Sequence, residues 1–109
     1  MALNFNKVFT PHKANTVNLT PTTSTSRVAL NEQLVGTQAI GGVRVLNNTG
    51  TIAFIKLGDS SVTATTNDTP LGSGAIELFG LNGGDTHCAA IIASGTASGA
   101  VYLTHGEGV

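Results

Sequence analysis

The stretch that decides the fold runs Val43-Arg44-Val45-Leu46-Asn47-Asn48-Thr49-Gly50-Thr51-Ile52-Ala53-Phe54-Ile55-Lys56-Leu57. Two β-branched, apolar runs flank an Asn-rich tetrapeptide that ends in glycine. Val43 and Val45 alternate with Arg44 and Leu46, the period of a strand with two distinct faces. Asn and Gly tolerate the left-handed backbone of a tight turn, so the spacing predicts a β-hairpin here. The second run departs from simple alternation. Ile52, Phe54 and Lys56 oppose Ala53, Ile55 and Leu57, and both faces are largely apolar. A sandwich strand has one wet face. The second face of this strand therefore needs a cover: the N-terminal arm, an adjacent layer or another subunit.

The same grammar extends in both directions. Arg27 to Leu30 reads as an earlier strand. Gly58-Asp59-Ser60-Ser61 is a turn, and Val62 to Thr66 a short strand. Asn67 to Pro70 and Gly72 to Gly74 bracket a long connection. Ala75 to Leu81 is a strand, Asn82-Gly83-Gly84-Asp85 a turn, His87 to Ala93 a strand, and Ala100 to Thr104 the last strand before a loose tail. No window repeats apolar residues at helical spacing over a helical length. Short strands separated by Gly-rich turns predict an all-β chain, a single-domain β-sandwich or jelly roll. No fixed-period repeat suggests a propeller or solenoid.

Residues 1–26 have another texture. They are rich in Asn, Thr and Pro and close on Thr22-Thr23-Ser24-Thr25-Ser26. This composition favours extended backbone over helix. The expected organisation is an extended N-terminal arm over 1–26, with one short strand near Val17 to Leu19, followed by the sandwich domain over 27–109.

Composition narrows the function. The 109 residues suit one domain. Charged residues make up 10% of the chain, against about 25% in an average domain. The net charge is −1, so a neutral, hydroxyl-rich surface is expected and electrostatic repulsion between copies is weak. A core drawn from Val, Ile, Leu and Ala with four Phe and one Tyr is light, which suits a two-layer β structure. A single cysteine, Cys88, allows no intramolecular disulfide. The N-terminus lacks the basic-then-apolar pattern of a secretion signal, and no apolar run approaches the length of a membrane span. Synthesis in a cytoplasm and no membrane partner are expected.

No constellation of chemistry emerges. His12, His87 and His105 are widely spaced, and His87 and Cys88 are neighbours that a strand turns to opposite faces. Cys88 reads as a small buried side chain. Ser60 and Ser61 sit in an ordinary turn rather than a nucleophile elbow. The glycine clusters lack the lysine and helix of a phosphate loop. Asp59, Asp68, Asp85 and Glu77 lack calcium-loop spacing. Lys7, Lys13, Arg27, Arg44 and Lys56 are too dispersed for a nucleic-acid footprint. The expectation is no enzyme, no catalytic or metal site, no cofactor and no nucleic acid.

Two segments carry a resemblance. Thr51-Ile-Ala-Phe-Ile-Lys-Leu-Gly-Asp-Ser-Ser-Val-Thr-Ala-Thr-Thr-Asn-Asp-Thr69 contains an apolar strand ending in Lys-Leu-Gly-Asp, then a Thr/Ala-rich stretch. Gly95-Thr-Ala-Ser-Gly-Ala-Val-Tyr-Leu-Thr-His-Gly-Glu-Gly108 closes on Gly-Glu-Gly. With the Glu77 strand between them, they resemble small proteins from the structural gene clusters of tailed phages. By size and texture the chain is similar to the jelly-roll cement proteins of epsilon15-like and Bordetella short-tailed phages. The likeness covers roughly residues 27–108, and its motifs are structural turns. It implies a virion protein on the outer capsid surface, clamping neighbouring capsomers, with the major capsid protein and a second or third copy of itself as partners (a homodimer or homotrimer). The interface residues expected are Leu3, Phe5, Val8 and Phe9 of the arm, with Ile52, Phe54 and Phe79 of the domain. A tail or head-fibre module, or another glycan-binding β-sandwich, is the alternative.

Overall fold

Ten strands build the protein in a computed structural model that describes residues 9–30, 34, 35, 38, 39 and 41–107. They are β1 (Thr10–Leu19), β2 (Ser26–Ala29), β3 (Leu34–Val35), β4 (Gln38–Ala39), β5 (Gly42–Asn47), β6 (Ala53–Gly58), β7 (Thr69–Leu71), β8 (Ile76–Gly80), β9 (His87–Ile92) and β10 (Val101–Glu107). Two four-stranded antiparallel sheets have the orders β1-β10-β5-β8 and β2-β9-β6-β7, and β3 and β4 pair only with each other. With that small excursion set aside, eight strands remain. The sheets then read first-eighth-third-sixth and second-seventh-fourth-fifth, the strand order of a jelly roll.

The core lies between the two sheets. Val43 and Val45 of β5, Val101 and Leu103 of β10, Ala53 and Ile55 of β6, and Cys88, Ala90 and Ile92 of β9 are buried in one cluster. Each set alternates along its strand, so period two in the sequence became inward and outward in space. Burial pushes the Cys88 thiol up to about 12, because a thiolate there would lose its water.

The expected hairpin at 47–50 is not one. β5 pairs with β10 and β8, whereas β6 pairs with β9 and β7. The turn carries the chain from one sheet to the other. Its side chains explain why. Asn47 is fully buried. Its Nδ2 donates to the carbonyls of Thr51 (2.8 Å) and Leu71 (2.7 Å), and its Oδ1 accepts from the amide (3.0 Å) and hydroxyl (2.6 Å) of Thr49. The amide of Asn47 donates to Ala75 and its carbonyl accepts from Gly74. One asparagine on β5 thus ties together the start of β6, the end of β7 and the approach to β8. Gly50 holds φ at +85°, and a Cβ there would meet the Ser98 hydroxyl at 2.7 Å, so this corner requires glycine.

The boundary expected at 26/27 does not follow the fold either. β1 is a sheet strand hydrogen-bonded along β10, with Val17 and Leu19 against the core. Residues 20–25 form an ordered bridge between the sheets: Pro21 is buried, Thr22 accepts from the Ile92 amide, and the Thr25 hydroxyl accepts from the Ala64 amide. The Thr/Ser run satisfies backbone groups at a crossing, a local role suited to short hydroxyl side chains. Residues 1–8 of the expected arm lie outside the described residues. Two smaller corrections concern the ends of strands. Gly106 and Glu107 belong to β10 rather than to a loose tail, and Thr69-Pro70-Leu71 forms edge strand β7, where a proline is tolerated.

Candidate functional site

The two sheets present different outer faces. On the sheet β2-β9-β6-β7, the outward residues include Phe54 and Lys56 of β6 and Ala89 and Ile91 of β9. Phe54 stands across from Ile91 and Pro70. Residues 59–68 fold back over this face. Val62 and Ala64 are buried against Ala89, with Ile91 packed alongside. The expected strand at Val62 to Thr66 is therefore an irregular cover, pinned by the bond from the Ala64 amide to Thr25. The outward apolar residues of β9, Ala89 and Ile91, are met by the protein's own chain through this loop. The loop begins at Asp59, whose Oδ1 accepts from the Ser61 amide (2.8 Å) and hydroxyl (2.7 Å). Those two bonds hold the Asp59 carboxyl below the usual range, aided by the nearby charges of His87 and Arg27. The Ser61 hydroxyl is spent on a carboxylate and the His87 Nδ1 on the Thr86 hydroxyl (2.8 Å). This is not the order of a nucleophilic triad, in which serine bonds to histidine.

The outer face of the sheet β1-β10-β5-β8 is built in three rows, set by the strand register. Ile76, Leu46, Tyr102 and Asn18 lie side by side across β8, β5, β10 and β1. Leu78, Arg44, Thr104 and Thr16 form the next row, with the Thr104 and Thr16 hydroxyls 2.7 Å apart. Gly80, Gly42, Gly106 and Pro11 form the third. At about 4.8 Å between strands, each row spans about 14 Å. Ile76 is 62%, Leu78 40% and Tyr102 38% exposed. Arg44 is the single charged residue in the three rows. Three of the four large apolar side chains exposed on the described surface thus share one face, the arrangement that marks a partner surface. The fourth, Ile52, is 50% exposed just ahead of β6.

The glycine row has its own use. Phe9 lies over Gly106: a Cβ there would meet Phe9 Cζ at 2.7 Å and collide with the Thr10 carbonyl. The Arg44 guanidinium carbon sits 5.5 Å from the centre of the same ring, within range of a cation–π contact. The missing side chain at 106 is the seat of the aromatic ring.

Of the residues expected from sequence, Phe9 reaches this face. Ile52 lies just ahead of β6 and Phe54 on β6, in the opposite sheet, with Phe54 half-buried. Phe79 turns inward at the sheet edge and packs, partly buried, against the core, opposite Val43. Leu3, Phe5 and Val8 lie outside the described residues. Sequence reading missed Ile76, Leu78 and Tyr102 as a group. The signal was present in the alternation of β8 and β10, but only the register puts them side by side.

A second cluster joins β1 and β10. His12 Nδ1 lies 3.1 Å from His105 Nδ1, and His12 Nε2 lies 3.6 Å from Glu107 Oε2. The carboxylate faces the far side of the His12 ring, so the three groups do not converge on one point, and no set of three metal-ligating side chains occurs among the described residues. No protein-family model, curated protein or solved structure matches the chain.

Proposed function

We propose that this protein is a decoration, or cement, protein that binds the outside of a tailed-phage capsid and stabilises the shell. The observation that carries the reading is the exposed apolar face of the sheet β1-β10-β5-β8, with Ile76, Leu78 and Tyr102 in adjacent rows. A nearly uncharged apolar face suits a permanent contact, because desolvating it costs little and burying it gains roughly 25 cal/mol per Å². The low charge of the chain and the tailed-phage resemblance support the same conclusion. Major capsid protein is the partner, and a dimer or trimer of this chain matches the two-fold and three-fold positions a capsid offers. A clamp that binds only the assembled lattice stabilises it by mass action, and many modest contacts add up. In this reading the protein is made in the host cytoplasm and ends on the capsid surface. Phe9, seated on Gly106, is the expected arm residue that lies on this face.

The test is to mix the protein with undecorated capsids and image the particles by cryo-electron microscopy. Added density at local two-fold or three-fold positions is expected. The double variant Ile76→Asp, Leu78→Asp should keep its fold and leave the shells bare. Shells left bare by the wild-type protein would overturn the reading. One feature favours a second function. Tyr102 lies beside Asn18 and next to the Thr16–Thr104 hydroxyl pair, an aromatic with amide and hydroxyl neighbours as a glycan-binding fibre module would use. Binding on a glycan array, lost in Tyr102→Ala, would select that function instead.

A further inference from the structure

Opposite His105, β1 leaves its regular ladder. Pro11 pairs with Gly106 and Thr16 with Thr104, so His12, Lys13, Ala14 and Asn15 stand against His105 alone. Within this bulge Ala14 holds φ at 60°, a left-handed backbone that costs a non-glycine residue about 1–2 kcal/mol. Such a bend persists only where its surroundings hold it. A ring-to-ring contact spans it. The imidazoles of His12 and His105 meet edge to face, with centroids 4.7 Å apart and planes at 75°. Their Nδ1 atoms are at hydrogen-bond distance, 3.1 Å. His105 is 1% exposed.

Among the described residues, Glu107 of β10 faces His12 Nε2, and Lys13 follows His12 along the bulge. On the far side of β10, β5 sets Val43 opposite His105, while its charged neighbour Arg44 lies over the Phe9 ring on the outer face.

A bond between two ring nitrogens needs one N–H and one lone pair. Two neutral imidazoles supply both. So does one neutral and one cationic ring: a proton on His12 lets that ring donate through Nδ1 and point its Nε2–H at Glu107. A second proton, on His105, sets two Nδ1–H donors face to face. It also sets two positive charges together at a buried position, where their repulsion is poorly screened.

We propose that the His12–His105 pair is a proton-operated latch that fastens the N-terminal end of β1 to β10. It stays shut with no proton or one proton on the pair and opens with two. Acidification then frees the start of β1, and with it Phe9, while the rest of the jelly roll stays closed. The latch does not depend on the capsid reading.

The experiment is amide hydrogen exchange by NMR on the full chain, from about pH 8 to about pH 5, the window in which imidazoles charge. Protection factors are corrected for the intrinsic pH dependence of exchange. Protection over residues 10–16 and 104–107 should fall about tenfold, the loss expected for one bond with charged partners. Protection over β9 should hold. In His12→Gln and in His105→Gln, which keep an acceptor but gain no proton, the fall should vanish. Should His105→Gln not fold, His12→Gln, at the less buried ring, carries the test. Flat protection across the range, the same fall in the folded variants, or a parallel loss in β9 would each overturn the latch.

Discussion

The outer faces of the two sheets begin from similar sequences and end differently. Along β9 the outward residues Ala89 and Ile91 are apolar, and the chain returns over them with Val62 and Ala64, while Phe54 beside them on β6 is half-buried. Along β8, β5 and β10 the outward residues Ile76, Leu78, Leu46 and Tyr102 are also apolar, yet Ile76, Leu78 and Tyr102 remain exposed. An apolar strand face does not announce whether its cover will be the same chain or another molecule. The covered face is edged by Arg27, Lys56, Asp59 and His87, whereas the exposed rows contain one charge, Arg44. A face completed within the molecule can border solvent with charges. A face that awaits a partner is better left neutral, because each charge buried on docking must be desolvated.

The largest expected effect concerns the layer both faces share. Cys88 points into the core from β9, one residue from covered Ala89. With its thiol pushed from 9.0 up to about 12, the native thiolate population near neutral pH falls about a thousandfold, and alkylation by iodoacetamide should slow by at least that factor relative to urea-unfolded protein. The folded state binds this proton more tightly than the unfolded one. Stability should therefore fall as pH rises from about 9 toward about 12. Rapid native labelling would show that β9 is not sandwiched as described.

Next comes the joint that sends β5 and β6 to different sheets. Asn47→Ala strands the Leu71 carbonyl and the Thr49 amide in a buried corner and leaves the Thr51 carbonyl only the Thr49 hydroxyl. A loss of about 3 kcal/mol in urea unfolding is expected. A loss under about 1 kcal/mol would mean the corner is held by the strands alone.

The third measurement compares the faces themselves. Val62→Asp buries a charge under the covering loop and should cost about 2–3 kcal/mol. Leu78→Asp, on the exposed face, should change stability by under about 0.5 kcal/mol. Equal costs would erase the distinction between the faces.

The smallest effect is at the start of the covering loop. Asp59 is fully exposed, and bonds from Ser61 hold its carboxyl low. A lowered folded value stabilises the loop above the ordinary carboxylate range, and the contribution is lost as pH falls through that lowered value. Asp59→Asn should flatten this acid limb and raise exchange at the Ser61 and Val62 amides, with β9 unchanged.

Much of the fold was legible because strands carry a local signal. Alternation at Val43–Val45 and Val101–Leu103, bounded by Gly-rich turns, located β5 and β10. The Asn82–Asp85 turn formed as read, with the Asn82 amide on the Asp85 carboxylate and the Asp85 amide on the Asn82 carbonyl. Cys88 is buried, as its apolar strand suggested. The misreadings share one cause. Asn47–Gly50 has the chemistry of a tight turn, and a hairpin and a sheet-to-sheet crossing use the same residues. The Asn, Thr and Pro of β1 likewise have the composition of a linker, and only β10 beside them makes them a sheet strand.

The sequence by itself determined the class of the protein: all-β, short strands, a light aliphatic core and an almost uncharged surface. Those follow from backbone preference and side-chain period, which act over two to five residues. Only the tertiary structure decided which strands are neighbours. Pairing β5 with β8 and β10, and β10 with β1, set Ile76, Leu46 and Tyr102 in a row, laid Phe9 on Gly106 and brought His12 against His105, contacts that join residues 30 to 97 positions apart. Register between distant strands is fixed by the packing of the whole sandwich, because slipping one strand by a residue would turn its buried face to water.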